Sequence, residues 1–502
     1  MSVLKKFAGH TLIYGLSTIL ARVLNFLLTP LFVHKFPAAV YGIFTNLYAW
    51  AALLNNILAF GMETTYFRYL DKHDGDKRTV FNHGFAVILM TSGLFIITVL
   101  LFQNSIAGVL SSWLGNAAQL GDFRHYILYF SLILVLDAWA VLPFARLRAE
   151  GKAIRFATIK LINILTFVGF NLFFIVFIPQ VQDTETFSWL GLETWYRPGW
   201  LGYVFLSNLI ASGLTLLLLL PELSRFRPKV DRGLLSSMIR YSWPILVANI
   251  SFIISELIDK MVLIPKLLPP EQAATDLGIY GAVSKLAIFL SIAVQAFRLG
   301  AEPFFFSYSR EANARSVYAW IMDYFVILMV LAMVGLTVNI EWLKYFIKAG
   351  DPIEQAKYWS GLQVVPVLLL SYVFLGIYTN LSIWYKLSDQ THYALYISGI
   401  GAVITVVLNV IFIPYFSYVA AAWVTLIAYG AMMVSSYFWG QKNYAIPYRV
   451  KKNLAYILVG SVICWLSFSV FQRNVWVGNS LFLAFAAVTA ALEGKTLKKR
   501  LN

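Results

Sequence analysis

The chain alternates long apolar segments with short hydrophilic gaps along its whole length. Each apolar segment has about 20 residues or more, which is what an α-helix needs to cross a bilayer core of about 30 Å. About 14 such segments predict an all-α integral membrane protein, and because the last segment is short, a count of about 12 is the alternative. Spans 1 to 6 are predicted at 11–33, 41–69, 81–103, 124–147, 155–178 and 200–221. Spans 7 to 14 are predicted at 237–265, 277–306, 316–340, 359–385, 391–414, 417–440, 453–472 and 476–493.

Lysine and arginine fall mainly in the gaps of one parity. About 26 of them lie before span 1 and in the gaps after even-numbered spans, against about 8 in the other gaps. Because cytoplasmic loops carry the excess of basic residues, both ends of the chain are expected in the cytoplasm. We call the face that carries these gaps the basic side.

The composition agrees with a protein surrounded by lipid. Hydrophobic residues make up 60% of the chain and charged residues 13%, whereas a soluble domain carries about 25% charged residues. The formal net charge of +15 would also fit a nucleic-acid-binding protein. Because the basic residues lie in short loops and not on one groove-facing element, we expect contacts with membrane lipids and no nucleic-acid partner.

The sequence carries no enzyme motif that we recognise. A P-loop, a G-x-S-x-G turn and an H-E-x-x-H zinc motif are absent from it. The longest gap, 180–199, has about 20 residues, too few for a soluble catalytic domain. The histidines lie near span ends and do not group as metal ligands would. We therefore predict a protein that is not an enzyme and has neither a metal nor a cofactor.

A pattern of glycine, glutamate and aromatic residues occurs at matching places in two spans. Residues 61–69 read GMETTYFRY at the end of span 2, and residues 300–308 read GAEPFFFSY at the end of span 8. Upstream, Gly42 follows Pro30 much as Gly278 follows Pro265. Two such repeats of equal orientation form a pseudo-twofold transporter architecture, with the substrate site between them. The predicted organisation is a six-helix lobe at 1–221, a basic linker at 222–236, a second six-helix lobe at 237–441, and two extra helices with a basic tail at 442–502.

Charges inside predicted spans mark a candidate site, because a charge at the bilayer centre is costly and usually faces a polar cavity or a partner. Arg22 lies near the middle of span 1, where it either faces a cavity or forms a structural ion pair. Span 7 carries Glu256, Asp259 and Lys260 on one helix face. Lys285 of span 8 lies at a similar depth, so an Asp259–Lys285 pair is predicted, either in the cavity or as a bridge between the spans.

Further charges follow the repeat or lie in other spans. Arg298 and Glu302 are one helical turn apart in span 8, and Glu63 is the match of Glu302 in span 2. The two glutamates are expected either to form a polar ring at the mouth on the basic side or to extend to water. Asp137, in the middle of span 4, is either a proton or sodium site or a hydrogen-bond partner of a neighbouring helix. Asp323 of span 9 is expected to extend toward the headgroups.

Together these charges favour an anionic substrate. Cations deep in a membrane attract anions, and arginine binds phosphate with bidentate geometry. The candidate substrate-binding residues are Arg22, Arg298, Lys260 and Lys285. The candidates for lining the cavity or binding a coupling ion, Na+ or H+, are Glu63, Glu256, Asp259, Glu302 and Asp137.

Several short segments, with the layout of six, six and two spans, carry a family resemblance. They are Ala21-Arg22, LLTPL at 27–31, Tyr41-Gly42 and LPFARLRAEGK at 142–152. On these segments the chain resembles the polysaccharide transporter branch of the multidrug/oligosaccharidyl-lipid/polysaccharide superfamily. That branch contains the O-antigen and capsule repeat-unit flippases, and the lipid II flippases are related to it.

The resemblance implies two lobes around a central cavity lined by spans 1, 2, 7 and 8. It implies a polyprenyl-pyrophosphate-linked oligosaccharide as substrate, with Arg22 and Arg298 in the places of the arginines that hold the pyrophosphate. The last two spans would form a groove for the lipid tail. The acidic residues depart from a purely cationic cavity and would suit a coupling cation.

We therefore predict a flippase that moves a lipid-linked O-antigen, capsule or related repeat unit across the cytoplasmic (inner) membrane by alternating access. It is expected to act as a monomer and to work beside polysaccharide polymerase machinery. The alternatives are a flippase for a lipid II-type precursor and a multidrug/cation antiporter of the same superfamily. A membrane polymerase or ligase would need a sizeable outer loop with catalytic residues, and the outer gaps here are short.

Overall fold

A computed structural model describes residues 23, 26–72, 77–115, 118–181, 191–224, 226–227, 231–388 and 390–501. These ranges are mainly helical and contain no strand. Ten of their helices are long and apolar enough to cross a membrane. The predicted all-α, multi-pass membrane fold is thus confirmed. Span 1 lies mostly outside the described residues, so the total of about 14 spans stays a prediction.

The chain divides into two compact units, 1–278 and 279–502. The first unit contains spans 2 to 7 and the beginning of span 8. Its helices are Thr29–Lys35, Ala38–Ala59, Met62–Lys72, Lys77–Leu114, Leu120–Ala149, Ala153–Leu172, Ile178–Val181, Leu192–Trp195, Gly202–Leu218, Leu220–Leu223, Arg232–Ile258 and Ile264–Leu267, with π-helical turns at Phe173–Phe177 and Asp259–Leu263. The six-plus-six division into lobes with a linker at 222–236 stays a prediction.

The second unit begins within the long helix Pro270–Tyr308, which forms span 8. Its further helices are Ala314–Val338, Ile340–Leu343, Pro352–Ser360, Val365–Leu381, Ile383–Leu387, His392–Asn443, Val450–Trp465 and Val475–Leu501, with 3-10 turns at Lys344–Ile347 and Gly361–Val364 and a π-helical turn at Leu466–Val470. The stretches Val450–Val470 and Val475–Gly494 are both long and apolar enough to cross a membrane. The shortness of the last predicted segment therefore no longer argues for a twelve-span count.

The helix His392–Asn443 is too long for one crossing. Its 52 residues would extend about 78 Å, whereas a bilayer core is about 30 Å thick. The helix is interrupted at Ser417, whose φ of 50° is left-handed. This interruption lies at the boundary between predicted spans 11 and 12, so the helix supplies both.

Matching residues of the internal repeat contact each other reciprocally within the first unit. A Cβ atom on Gly42 would overlap the carbonyl group of Ala274, and one on Gly278 would overlap the carbonyl group of Ala38. Gly278 is the repeat match of Gly42, and Ala274 is the match of Ala38. Reciprocal contacts of this kind are typical of surfaces related by a twofold axis. The packing therefore supports the repeat.

Candidate functional site

Arg22, the first predicted cavity cation, lies outside the described residues, so its role stays a prediction. Glu256 in span 7 and Lys285 in span 8 are both half-buried. The predicted pairing of Lys285 with Asp259 stays a prediction too.

Asp259 and Lys260 lie in the π-helical turn of span 7. The Asp259 side chain is buried, its Oδ1 atom accepts a hydrogen bond from the Lys260 backbone N–H at 2.8 Å, and Lys260 Nζ lies 3.9 Å from Oδ2. The amide of Asn46, from span 2, donates to the carbonyl oxygens of Lys260 and Met261 at 2.7 and 2.9 Å. A π-turn displaces carbonyl groups from the regular helix ladder, and Asn46 satisfies two of them. Sequence reasoning missed Asn46, which has no charge to draw attention.

Asp137 of span 4 takes part in polar contacts between helices of the first unit. Its Oδ1 atom accepts a hydrogen bond from Ser212 Oγ in span 6 at 2.8 Å. Nearby, Asn208 of span 6 donates to the hydroxyl of Tyr48 in span 2 at 3.0 Å. Asp137 therefore forms a hydrogen bond with a neighbouring helix, which was one of its two predicted roles. A role in ion coupling stays a proposal.

The two repeat-matched glutamates each have an ion-pair partner in their own unit. Glu63 pairs with Arg148 at the end of span 4. Glu302 pairs with Lys386, at the end of span 10, through a 2.8 Å hydrogen bond. Arg148 precedes Lys386 by almost the same number of residues as Glu63 precedes Glu302. The repeat thus reproduces an ion pair, although sequence reasoning identified only its acidic members.

Arg298 lies beside the second of these pairs. It lines a cavity of about 10 Å³, room for about one water molecule, together with Glu302, Lys386 and Asn380. Asn380 is buried, and neither polar atom of its side-chain amide has a hydrogen-bond partner among the described residues. Two cations, one carboxylate and an unsatisfied amide leave this cavity with net positive charge and spare hydrogen-bonding capacity. Such a donor set can bind a phosphate group.

An apolar groove of about 290 Å³ lies in the second unit, between spans 9, 10, 12 and 13. Met322 of span 9, Phe438 of span 12 and Leu454 of span 13 line it. Span 10 contributes Ile377 and Leu381, which is the residue next to Asn380. The groove and the polar cavity thus share one helix, and span 13, one of the two extra spans, forms a wall of the groove.

The expectation for Asp323 was wrong. Its side chain is 1% exposed, and its Oδ2 atom lies 3.7 Å from Arg449 and 3.9 Å from Lys452. Lys452 also pairs with Glu493 at 2.7 Å, so this cluster connects span 9 with spans 13 and 14. The position of Asp323 along its own helix could not show that basic residues near the extra helices cover its carboxylate.

A cluster of charges joins the span ends of the first unit on the basic side. Arg146 and Lys152 bind opposite oxygens of Glu150 at 2.7 and 2.6 Å, and Arg155 binds the buried Glu222 at 3.0 Å. Burial alone would raise the pKa of Glu150, but the hydrogen bonds from Lys152 and Arg146 outweigh burial and lower that pKa. The segment 142–152, which carries part of the family resemblance, therefore has a structural role in these ion pairs.

Comparison with known proteins identifies the fold through solved structures. No protein-family model matches the chain, and no curated protein matches it by sequence. The chain is similar to the lipid II flippase MurJ in its inward closed conformation, with a TM-score of 0.72, 13% identity, and coverage of 96% of this chain and 99% of that chain.

Multidrug transporters have the same fold. An inward-facing multidrug resistance MATE family transporter of the MOP superfamily gives a TM-score of 0.66 at 13% identity, covering 84% of this chain and 94% of that chain. The MATE transporter VcmN of Vibrio cholerae, in its bent form, gives 0.56 at 13% identity, covering 90% and 98%. At such identities the likeness establishes the fold alone, and function has to be argued from the site.

Proposed function

We propose that the protein is a flippase that moves a polyprenyl-pyrophosphate-linked oligosaccharide, such as an O-antigen or capsule repeat unit, from the inner to the outer leaflet of the cytoplasmic membrane. One observation carries the proposal. In the second unit, a cationic polar cavity and an apolar groove lie on the same helix, with Asn380 lining the first and Leu381 lining the second. A substrate with an anionic head and a long apolar tail needs both surfaces.

The donors around the polar cavity suit the pyrophosphate, and the cavity has to widen from its volume of about 10 Å³ before that group can enter. The Arg298 guanidinium can offer two parallel N–H donors to phosphate oxygens, and the Asn380 amide can donate one more hydrogen bond. Lys386 is held by Glu302, so a phosphate that binds there has to share this lysine with the carboxylate. Arg22, Lys260 and Lys285 are the other cations that we assign to the substrate path.

The apolar groove suits the start of the lipid tail. Because the prenyl tail is already surrounded by hydrocarbon in the bilayer, the groove binds it through side-chain packing and not through the hydrophobic effect. The structure of MurJ covers 96% of this chain, against 84% for the inward-facing MATE transporter. Because this likeness establishes the fold alone, the preference for a lipid-linked substrate over a small drug cation rests on the groove and the cavity.

A lipid II-type precursor is the second candidate, because the neighbour MurJ is a lipid II flippase. Lipid II presents the same pyrophosphate and prenyl chain, so the cavity and the groove suit it equally. A coupling ion, Na+ or H+, is assigned to the acidic residues of the spans, with Asp137, Glu256 and Asp259 as the first to test. The net positive cavity disfavours a cationic drug as substrate.

The residue-level test is flipping of a fluorescent polyprenyl-pyrophosphate oligosaccharide in proteoliposomes. Arg298→Gln and Asn380→Leu are compared with wild type and with Arg310→Gln, a matched control at an exposed position in the loop after span 8. We expect at least about tenfold slower flipping in Arg298→Gln, since hydrogen bonds to charged groups contribute about 1.5–3 kcal/mol, and unchanged flipping in the control. Normal flipping by a well-folded Arg298→Gln protein would remove this residue from the site.

A further inference from the structure

A long groove runs along spans 5 and 6 in the first unit. It consists of two cavities of about 700 and 870 Å³, both lined by Ile162. Lys152 and Arg155 line the end on the basic side, and Phe173 lines the far end. From Arg155 to Phe173 the helix rises about 27 Å, close to the thickness of a bilayer core.

Two glycines give the groove its depth. Gly169 of span 5 and Gly213 of span 6 line it, and no heavy atom lies within 4 Å of the place where either would carry a Cβ. Leu165 and Leu217, which also line it, are 55% and 62% exposed. An apolar groove with open space at its floor and leucines along it fits an extended hydrocarbon chain.

The mouth of the groove is basic and only partly neutralised. Lys152 is held by Glu150 and Arg155 by Glu222, yet neither carboxylate lines the groove. The two hydrogen bonds that Arg155 donates among the described residues start from Nη2 and go to Glu222 and the Leu218 carbonyl. Its Nε and Nη1 donors and the other donors of Lys152 can therefore meet an anion at the depth of the lipid headgroups.

We propose that this groove binds an anionic glycerophospholipid of the leaflet on the basic side. Its phosphate lies between Lys152 and Arg155, and one acyl chain lies along Gly169 and Gly213. An acyl chain of one leaflet covers about half of a 30 Å core, so the groove holds it whole. The much longer chain of a polyprenyl carrier would extend beyond the groove. This lipid site does not depend on which substrate the protein transports.

Native mass spectrometry of the detergent-purified protein tests the site. The protein is titrated with palmitoyl-oleoyl phosphatidylglycerol and, separately, with the matching phosphatidylcholine. We expect tighter retention of the phosphatidylglycerol, about fivefold loss of this preference in Lys152→Gln, and loss of the tightest phosphatidylglycerol adduct in Gly213→Leu. Gly93→Leu in span 3 is the matched control, since its Cβ position is equally open, and it should bind as wild type does.

Three results would overturn the proposal. They are equal retention of the two lipids by wild type, equal loss in Gly213→Leu and Gly93→Leu, and displacement of phosphatidylglycerol by equimolar polyprenyl phosphate. If Gly213→Leu does not fold, Lys152→Gln together with Gly169→Leu decides the matter by the same readout. Because the assay measures only lipid binding, failure of the flippase proposal would leave its result unaffected.

Discussion

The ends of span 2 and span 8 share a sequence pattern and an ion pair, and the end of span 8 also lines a small polar cavity with Arg298. Glu63 and Glu302 are both bound by a cation from the matching span end. Span 8 adds Arg298 one turn before its glutamate, whereas span 2 has Ala59 at the matching position. A feature present in both repeats is best explained by architecture, and a feature present in one is a better candidate for substrate recognition.

The backbone also differs between the two spans, and here span 2 carries the special feature. Span 2 breaks at Phe60 and Gly61, whose φ values are 49° and 66°, before the helix resumes at Met62–Lys72. Span 8 continues through Gly300 without a break. The same glycine of the repeat is therefore required by a left-handed turn in span 2 and by no such turn in span 8. Predictions on matched residues can separate these roles.

The largest expected effect comes from the reciprocal glycine contact of the repeat. Gly42→Ala and Gly278→Ala each force a methyl group onto a carbonyl of the facing helix, and we expect each to cost about 3 kcal/mol. The measurement is thermal unfolding in detergent, with Gly93→Ala as control. A large loss in one variant and none in the other would break the pseudo-twofold interpretation.

The next largest expected effect is the loss of stability when the basic residue of either ion pair is removed. The Arg148 guanidinium also lies over the Phe67 ring, 5.1 Å from its centre. The Glu302–Lys386 pair is a single hydrogen bond of 2.8 Å. We expect Arg148→Ala to cost about 1–2 kcal/mol and Lys386→Ala about half of that. Thermal unfolding of the two single variants measures both costs, and a larger loss in Lys386→Ala than in Arg148→Ala would contradict this ranking.

Replacing the two matched glycines by alanine is expected to change the free energy of unfolding in opposite directions. Gly61→Ala places a Cβ in the left-handed region, which costs about 1–2 kcal/mol. Gly300→Ala adds a methyl group in open space on a helix and is expected to stabilise by up to about 1 kcal/mol. The same unfolding assay checks both variants, and destabilisation by Gly300→Ala would show that span 8 also needs its glycine.

The smallest effect is a pH dependence that comes from Glu150 in the first unit. The folded-state pKa of Glu150 is lowered, so its contribution to stability is present above the ordinary value of 4.5 and is lost as the pH falls below it. The matching position in the second unit is Ser388, which does not titrate. Glu150→Gln should flatten the acid limb of the stability profile slightly, and Ser388→Ala should not change it. An unchanged profile in Glu150→Gln would contradict the assignment.

Much of the fold was readable from the sequence because lipid imposes a simple rule on it. A helix in a bilayer must be long and apolar, so hydropathy located spans 2 to 5 and 8 to 14. The repeat at Gly61 and Gly300 was visible for a similar reason, since its residues are spaced alike along two helices. Most of span 1, including Arg22, lies outside the described residues and stays a prediction.

The partners of the charges were not readable. Hydropathy gives the depth of Asp323 but not the position of Lys452, which comes from a helix more than a hundred residues later. Asn46 and Asn380 carry no charge, so only their burial and hydrogen bonding distinguish them from other polar residues. Contacts between helices that are far apart in the sequence depend on how their side chains pack. Packing leaves no periodic pattern in a single sequence.

The central claim is that the substrate is a lipid-linked oligosaccharide. The most direct test reconstitutes the wild-type protein and measures, in parallel, transport of a fluorescent polyprenyl-pyrophosphate oligosaccharide, of fluorescent lipid II and of a cationic dye, with a sodium gradient, with a proton gradient and with neither. We predict flipping of the oligosaccharide and no dye transport. Gradient-driven dye transport without flipping of either lipid would contradict the account and assign the protein to cation efflux.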